Sequence, residues 1–170
     1  MKHLLLLRHA KSSWADPSLS DFDRPLNARG LKAASKMSRF LSEKMELPDV
    51  ILCSTAMRTR QTLKPLLDVY AHSFEIKLSR ELYHASDMSM LDMIQNVEGK
   101  ADVVMVIGHN PGMEQLADYV CGKGGEDDLY EMSLKFPTAA CAHLSFDVDN
   151  WSKIGRASGV LKRFFKPRDL

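Results

Sequence analysis

The chain has 170 residues, 45% hydrophobic and 26% charged, which predicts one soluble globular domain over residues 1–170 with a sizeable core. Its 23 basic and 22 acidic residues leave a formal charge of +1, so no global field draws it to nucleic acid or an anionic membrane, and any anion must be held locally. Cys53, Cys121 and Cys141 are odd in number and lack C-x-x-C spacing, which predicts reduced core residues and no disulfide framework or zinc site.

In chain order, the run from His3 to Leu7 predicts a short buried strand that delivers Arg8 and His9 to its carboxyl end, where open α/β sheets place their sites. Its four leucines fall far short of a signal-peptide core or of the roughly 20 residues a spanning helix needs, which points to the cytoplasm. Leu31, Ala34, Met37, Leu41 and Met45 recur at helical spacing after Gly30. Val50 to Cys53 predicts a second strand, followed by a helix from Ala56 to about Tyr70, capped at Ser54 or Thr55 and kinked or interrupted at Pro65. This helix carries Arg58 in its first turn.

Ser86 to Val97 predicts a third helix ended by Gly99. The run from Val103 to Ile107 is a further strand leading into Gly108-His109, with Asn110 as cap and Pro111 in the first position of the next helix. Gly122 to Asp128 has the composition of a mobile loop without P-loop spacing, Ala140 to Phe146 that of an edge or half-buried strand, and Lys162 to Arg168 that of a solvated basic tail. The alternation of short apolar runs with amphipathic ones predicts an α/β domain with a mainly parallel sheet.

Histidines and arginines at three strand ends describe a phosphoryl site. Guanidinium groups match a phosphate edge with paired donors and stay charged, so Arg8 and Arg58 are the candidate phosphate ligands. A histidine attacks phosphorus only through an unprotonated nitrogen, and His9 is assigned that role because Arg8 beside it can reach the same phosphate. His109 can donate to the opposite oxygen, and Glu81 is the candidate proton donor. Trp14 is expected beside the site, Trp151 as an anchor for the carboxyl-terminal segment, and Arg24, Arg29 and Arg60 as surface arginines. His3, His72, His84 and His143 lack H-x-H or H-x-x-x-H spacing and are expected at the surface or satisfied inside, with His84 notable for its nearness to Glu81.

These residues also carry a resemblance. Leu7-Arg8-His9-Ala10-Lys11-Ser12-Ser13-Trp14 resembles the L-R-H-G-x-S-x-W signature of the histidine phosphatase superfamily, which includes the cofactor-dependent phosphoglycerate mutases. Asp23-Arg24-Pro25-Leu26-Asn27-Ala28-Arg29-Gly30 resembles its D-x-P-L-x-x-x-G segment, Ser54-x-x-x-Arg58-x-x-Gln61-Thr62 its S-x-x-x-R-x-x-Q-T helix, and Gly108-His109 its second histidine. The short length and the R-H-A-K-S and G-H-N-P-G variants look most like the SixA-type phosphohistidine phosphatases.

The resemblance implies a three-layer α/β/α sandwich of the phosphoglycerate mutase type. It also implies hydrolysis through a phosphohistidine at His9, with Arg8, Arg58 and His109 completing the phosphate pocket, no metal and no cofactor. Ala10 replaces the usual glycine, and Ala15 stands where mutases place a phosphate-contacting asparagine, which counts against mutase chemistry. The implied substrate is a phosphohistidine-bearing protein. A phosphomonoesterase or mutase acting on a small phosphorylated metabolite, and a non-catalytic phosphate-binding module, are the competing readings.

Overall fold

A computed structural model describes all residues, 1–170. Its strands are β1 (Lys2–Arg8), β2 (Val50–Ser54), β3 (Glu75–Ser79), β4 (Val103–Gly108), β5 (Cys121–Gly124), β6 (Cys141–Phe146) and β7 (Gly159–Phe165). Its helices are α1 (Ala28–Lys44), α2 (Met57–Val69), α3 (Asp87–Gln95), α4 (Gly112–Val120) and α5 (Glu126–Leu134). The strands form one sheet in the order β3-β2-β4-β1-β6-β7-β5, parallel except for β6, which runs against both neighbours. The mainly parallel α/β/α architecture is therefore as the sequence predicts.

The central strands read as unbroken apolar runs because both of their faces are covered. Leu4, Leu6, Val104, Val106, Val50 and Leu52 enter a core with α3 and α4, whereas Leu5, Leu7, Met105, Ile107, Ile51 and Cys53 enter a second core with α1 and α2. Parallel pairing of β1 with β4, and of β4 with β2, brings the carboxyl ends of all three to one edge. That edge receives His9, Arg58 and His109.

Four expectations are corrected. The glycine-rich stretch is no loop: Cys121–Gly124 is strand β5, parallel to β7, and Glu126–Leu134 is α5, whose acidic first turn suits the positive end of a helix. The strand Cys141–Phe146 lies between β1 and β7 and is almost wholly buried, so it is neither an edge nor half-buried. The basic end is β7, with Phe164 and Phe165 inside and Lys166 buried against Glu131, so it is no solvated tail. The helix α2 runs unbroken through Pro65, which occupies a half-buried position near the helix end. In smaller matters, Cys121 is only half-buried, Leu31 is half exposed, and α1 starts at Ala28, so that Gly30 lies inside it.

Gly30 fixes how α1 meets the chain after β1. Asn27 caps the helix by accepting from the Gly30 amide at 2.8 Å, and its own amide donates to the Lys11 carbonyl at 3.0 Å. A Cβ on Gly30 would lie 2.1 Å from that carbonyl oxygen. The close approach holds Lys11 to Ser13 against Pro25 to Asn27, where Ser12 bridges Leu26 and the Ser13 amide donates to Pro25. We predict that Gly30→Ala destabilises the protein by about 1–3 kcal/mol, because backbone must shift to admit the methyl group. A denaturant midpoint equal to that of the unsubstituted protein would refute this packing account.

Candidate phosphoryl-transfer site

His9 leaves the end of β1 with its backbone pinned: its amide donates to the Gly108 carbonyl at 3.1 Å, and the Ala139 amide donates to the His9 carbonyl at 3.0 Å. Its ring is buried, and Nδ1 lies 2.7 Å from the Ala10 carbonyl oxygen. A carbonyl only accepts, so Nδ1 carries the proton and Nε2 keeps its lone pair. Burial pushes the His9 pKa down to about 4, with the Ala10 carbonyl opposing the shift and Arg58, Arg8 and Arg24 adding to it. The ring is therefore neutral near pH 7, as a nitrogen nucleophile must be.

The segment Ser54 to Thr62 supports this arrangement residue by residue. Arg58, buried in the first turn of α2, brings Nε to 3.4 Å from His9 Nε2. Ser54 Oγ lies 2.8 Å from His109 Nε2. Thr62 Oγ1 accepts from the Ala10 amide at 3.0 Å and donates to the Arg58 carbonyl at 2.7 Å, while Gln61 Oε1 accepts from the Leu26 amide at 2.7 Å. One helix start thus fixes both histidine-bearing strand ends and the loop after β1. Ser54 accordingly serves His109 and accepts from the Ala56 amide, while the helix cap falls at Ala56.

His109 is buried, its ring centroid 5.2 Å from that of His9. Burial first, then the neighbouring His9, Arg58 and His84, push its pKa down to about 2, so it too is neutral. Ser54 Oγ, which accepts from the Ala56 amide, is also the partner of His109 Nε2 and fixes the orientation of the ring. His109 Nδ1 and Arg8 Nε are both buried without a partner. Arg8 is otherwise held by the Phe136 carbonyl, to which Nη1 donates at 2.9 Å. An unpaired guanidinium N–H and an unpaired imidazole nitrogen, both buried, with the His9 lone pair form a seat for an anion's oxygens.

Sequence reasoning missed part of the group. The turn Asp21–Asp23 places the Asp21 carboxylate between two arginines: Oδ2 accepts from Arg58 Nη2 at 3.0 Å, and Oδ1 accepts from Arg24 Nη2 at 2.9 Å. Arg58 Nη1 also donates to the Asp21 carbonyl at 2.6 Å, and the Tyr83 hydroxyl donates to Oδ2. Burial alone would raise the Asp21 pKa, but the hydrogen bonds from Tyr83, Arg24 and Arg58 hold it well below the usual carboxylate range. Arg24, expected at the surface, is buried here; it donates to Ser12 Oγ at 2.8 Å and stacks under the Trp14 ring, its Cζ 3.6 Å from the centroid.

The spacing S-D-x-D-R-P-L held the only sequence signal for this: an acid three residues before an arginine in a turn. Trp14 does lie beside the site, 78% exposed on its rim. His84 stacks on Tyr83 with centroids 4.1 Å apart, at φ 52°, a left-handed conformation that costs a non-glycine residue about 1–3 kcal/mol and recurs at functional sites.

The structure brings Arg8, His9, Arg58 and His109 together. It does not bring Glu81 to them: that side chain is exposed and makes no hydrogen bond or ion pair. Trp151 is fully buried, its Nε1 donating to the Ala101 carbonyl at 2.7 Å, and it anchors the segment before β7. His3 and His143 satisfy each other at 3.0 Å. No group of three or more histidine, cysteine, aspartate or glutamate side chains could hold a metal ion. No helix is long and apolar enough to cross a membrane.

A sheet edge presenting a neutral histidine among arginines defines a phosphoryl-transfer protein of the α/β class. A model of the histidine phosphatase superfamily, branch 1, matches residues 4–86. An uncharacterised Mycobacterium tuberculosis protein is 32% identical over 165 residues, covering 95% of this chain and 100% of its own. Among solved structures, one from Agrobacterium tumefaciens assigned as a phosphohistidine phosphatase SixA is 33% identical, with a TM-score of 0.80 and 98% of each chain covered. A similarly assigned protein from Nakamurella multipartitia is 28% identical with a TM-score of 0.82, covering 98% of this chain and 96% of its own. The chain belongs to the histidine phosphatase superfamily, and it is a phosphatase.

The depressed pKa of His9 gives a direct expectation. Because it is lowered, the ring stays neutral as pH falls from 7 and takes up its proton only near pH 4. An NMR titration of the His9 ring nitrogens in the unliganded protein will show that midpoint; one near the ordinary value of about 6.5 would contradict the burial account.

Proposed function

We propose that the chain is a protein phosphohistidine phosphatase working without a metal through a phosphorylated His9. The observation that carries this reading is the His9 Nε2 lone pair, set beside Arg58 Nε with the unpartnered Nε of Arg8 and Nδ1 of His109 in the same site. In the first step His9 Nε2 attacks phosphorus, the bond from phosphorus to the substrate's imidazole nitrogen breaks, and the departing imidazole takes a proton from solvent water. In the second step water attacks the phosphorus and gives up a proton to solvent, the bond to Nε2 breaks, and hydrogen phosphate leaves with His9 neutral again. Arg8, Arg58 and His109 bind the equatorial oxygens in both steps, where charge spreads. Imidazole is a better leaving group than an alkoxide, and Glu81 is given no step.

Access supports a protein substrate. Between the end of β3 and the start of β4 the chain holds only one turn, Arg80–Leu82, and the nine-residue α3, which packs on α4. The rim side chains Trp14 and His84 stand open to solvent. The relatives assigned as SixA phosphohistidine phosphatases support the same substrate class.

The test is turnover of a phosphohistidine-bearing protein, a sugar phosphate and 3-phosphoglycerate by the same chelator-treated preparation. The phosphohistidine protein is expected to be the preferred substrate, and preference for either ester would overturn the reading. His9→Ala should abolish both turnover and the acid-labile phosphate trapped on the enzyme, and persistence of that phosphate would place the nucleophile elsewhere. Arg58→Lys keeps the charge but loses the Nε donor beside His9 and the paired Nη donors that hold Asp21, so kcat is expected to fall on the order of 100-fold or more. A loss below threefold would remove Arg58 from the site.

A further inference from the structure

We propose that Asp21 is a specificity-determining residue, a fixed carboxylate at the mouth of the phosphoryl seat that rejects substrates whose leaving group carries negative charge. It admits neutral or cationic leaving groups. The proposal rests on the reading above only where it names phosphohistidine as the favoured case, since imidazole is a leaving group of the admitted kind.

Four neighbours fix the carboxylate. Oδ2 takes Arg58 Nη2 at 3.0 Å and the Tyr83 hydroxyl, with His84 Nε2 at 3.5 Å; Oδ1 takes Arg24 Nη2 at 2.9 Å and Nε at 3.2 Å. The Asp21 backbone is also held, because its carbonyl accepts from Arg58 Nη1 at 2.6 Å. Both outer nitrogens of Arg58 are thus committed to Asp21, and only Nε is turned to His9. The carboxylate therefore stands across the Arg58 guanidinium from His9 Nε2.

Its setting is unlike that of a purely structural ion pair. The two arginines it joins are buried, but the Asp21 side chain keeps 41% of its surface exposed, beside the exposed Trp14 and His84. A leaving group on a phosphoryl at His9 that extends toward this exposed rim would pass the Asp21 carboxylate. One bearing a carboxylate would meet the like charge of Asp21, while one without negative charge would meet no repulsion there. Hydrogen bonds from three side chains keep Asp21 ionised, so the filter stays charged at working pH.

The test measures binding in the absence of turnover, using the complete chain with His9→Ala as the parent. Dissociation constants for 3-phosphoglycerate, whose organic part carries a carboxylate, and for 4-nitrophenyl phosphate, whose organic part carries no charge, are obtained by titration calorimetry. Adding Asp21→Asn or Asp21→Ser is expected to shift the ratio of the two constants about tenfold in favour of 3-phosphoglycerate, as removal of one like charge at short range would. Asp21→Glu, which keeps the charge, should leave the ratio within about twofold of the parent.

An unchanged ratio in both neutral variants would overturn the proposal. So would an equal shift in all three variants, because charge would then not be the determinant. Two neutral variants are used so that misfolding of one leaves the other to decide. Failure of the phosphohistidine turnover test would remove the substrate reading while leaving this ratio intact, so the two ideas fail separately.

Discussion

The hydrogen bond from His9 Nδ1 to the Ala10 carbonyl is the interaction on which the rest of the site depends. Three guanidinium groups near one imidazole would be pointless if the ring were protonated, and useless if its free lone pair faced the backbone. The bond settles the tautomer, and burial settles the charge. Its acceptor belongs to the very next residue, so its geometry requires the backbone at Ala10 to be held rigidly. That is the task of Thr62, whose hydroxyl holds the Ala10 amide while donating to the carbonyl of Arg58. His9 and Arg58 are thereby fixed through one threonine.

From this follows the reason for the spacing in Ser54-x-x-x-Arg58-x-x-Gln61-Thr62. The serine closes β2 and holds His109; one helical turn on, Arg58 reaches into the seat; a further turn on, Gln61 and Thr62 fall on the face toward the loop after β1 and grip Leu26 and Ala10. The glycine at position 30 belongs to the same frame, because only a residue without Cβ lets α1 press its first turn onto the Lys11 carbonyl. These residues do not react with phosphate. They hold His9 where a fraction of an ångström of displacement would misalign it.

How much of this the sequence discloses depends on whether a signal is local. Apolar runs ending in Arg8-His9, Ser54 and Gly108-His109 disclose the strands, their shared edge and the residues gathered there, because each rests on neighbours within a few positions. Asp21 and Arg24 stay hidden, since a turn of polar residues looks like any surface turn until Arg58, 37 positions away, is brought to it. Glu81 illustrates the converse: a carboxylate near the right place in the chain, whose short turn leaves it exposed while its neighbour Tyr83 points to the site. The strand β5 and helix α5 were masked by glycines that suggest a loop but here allow close packing, since a Cβ on Gly124 would meet Leu161 at 2.8 Å. The basic carboxyl-terminal segment misled because Lys162 and Arg163 fall together at an irregularity in the β6–β7 pairing, while Phe164 and Phe165 enter the two cores on opposite faces of the sheet.

The electrostatic state of the unliganded seat follows from these parts. Arg24 and Arg58 are buried, Arg8 is half-buried, and each loses hydration that a protein can replace only with acceptors or opposite charge. Asp21 supplies one negative charge to Arg24 and Arg58, and the Phe136 carbonyl supplies an acceptor to Arg8. Three cations against one anion leave the seat positive although the chain as a whole carries only +1, so its attraction for a phosphoryl group is a property of a few residues. Neutral histidines are needed for this balance. Were His9 and His109 charged, the cluster would hold five cations at close quarters, and the same surplus that draws the phosphoryl group in would drive the imidazoles to shed their protons before it arrived.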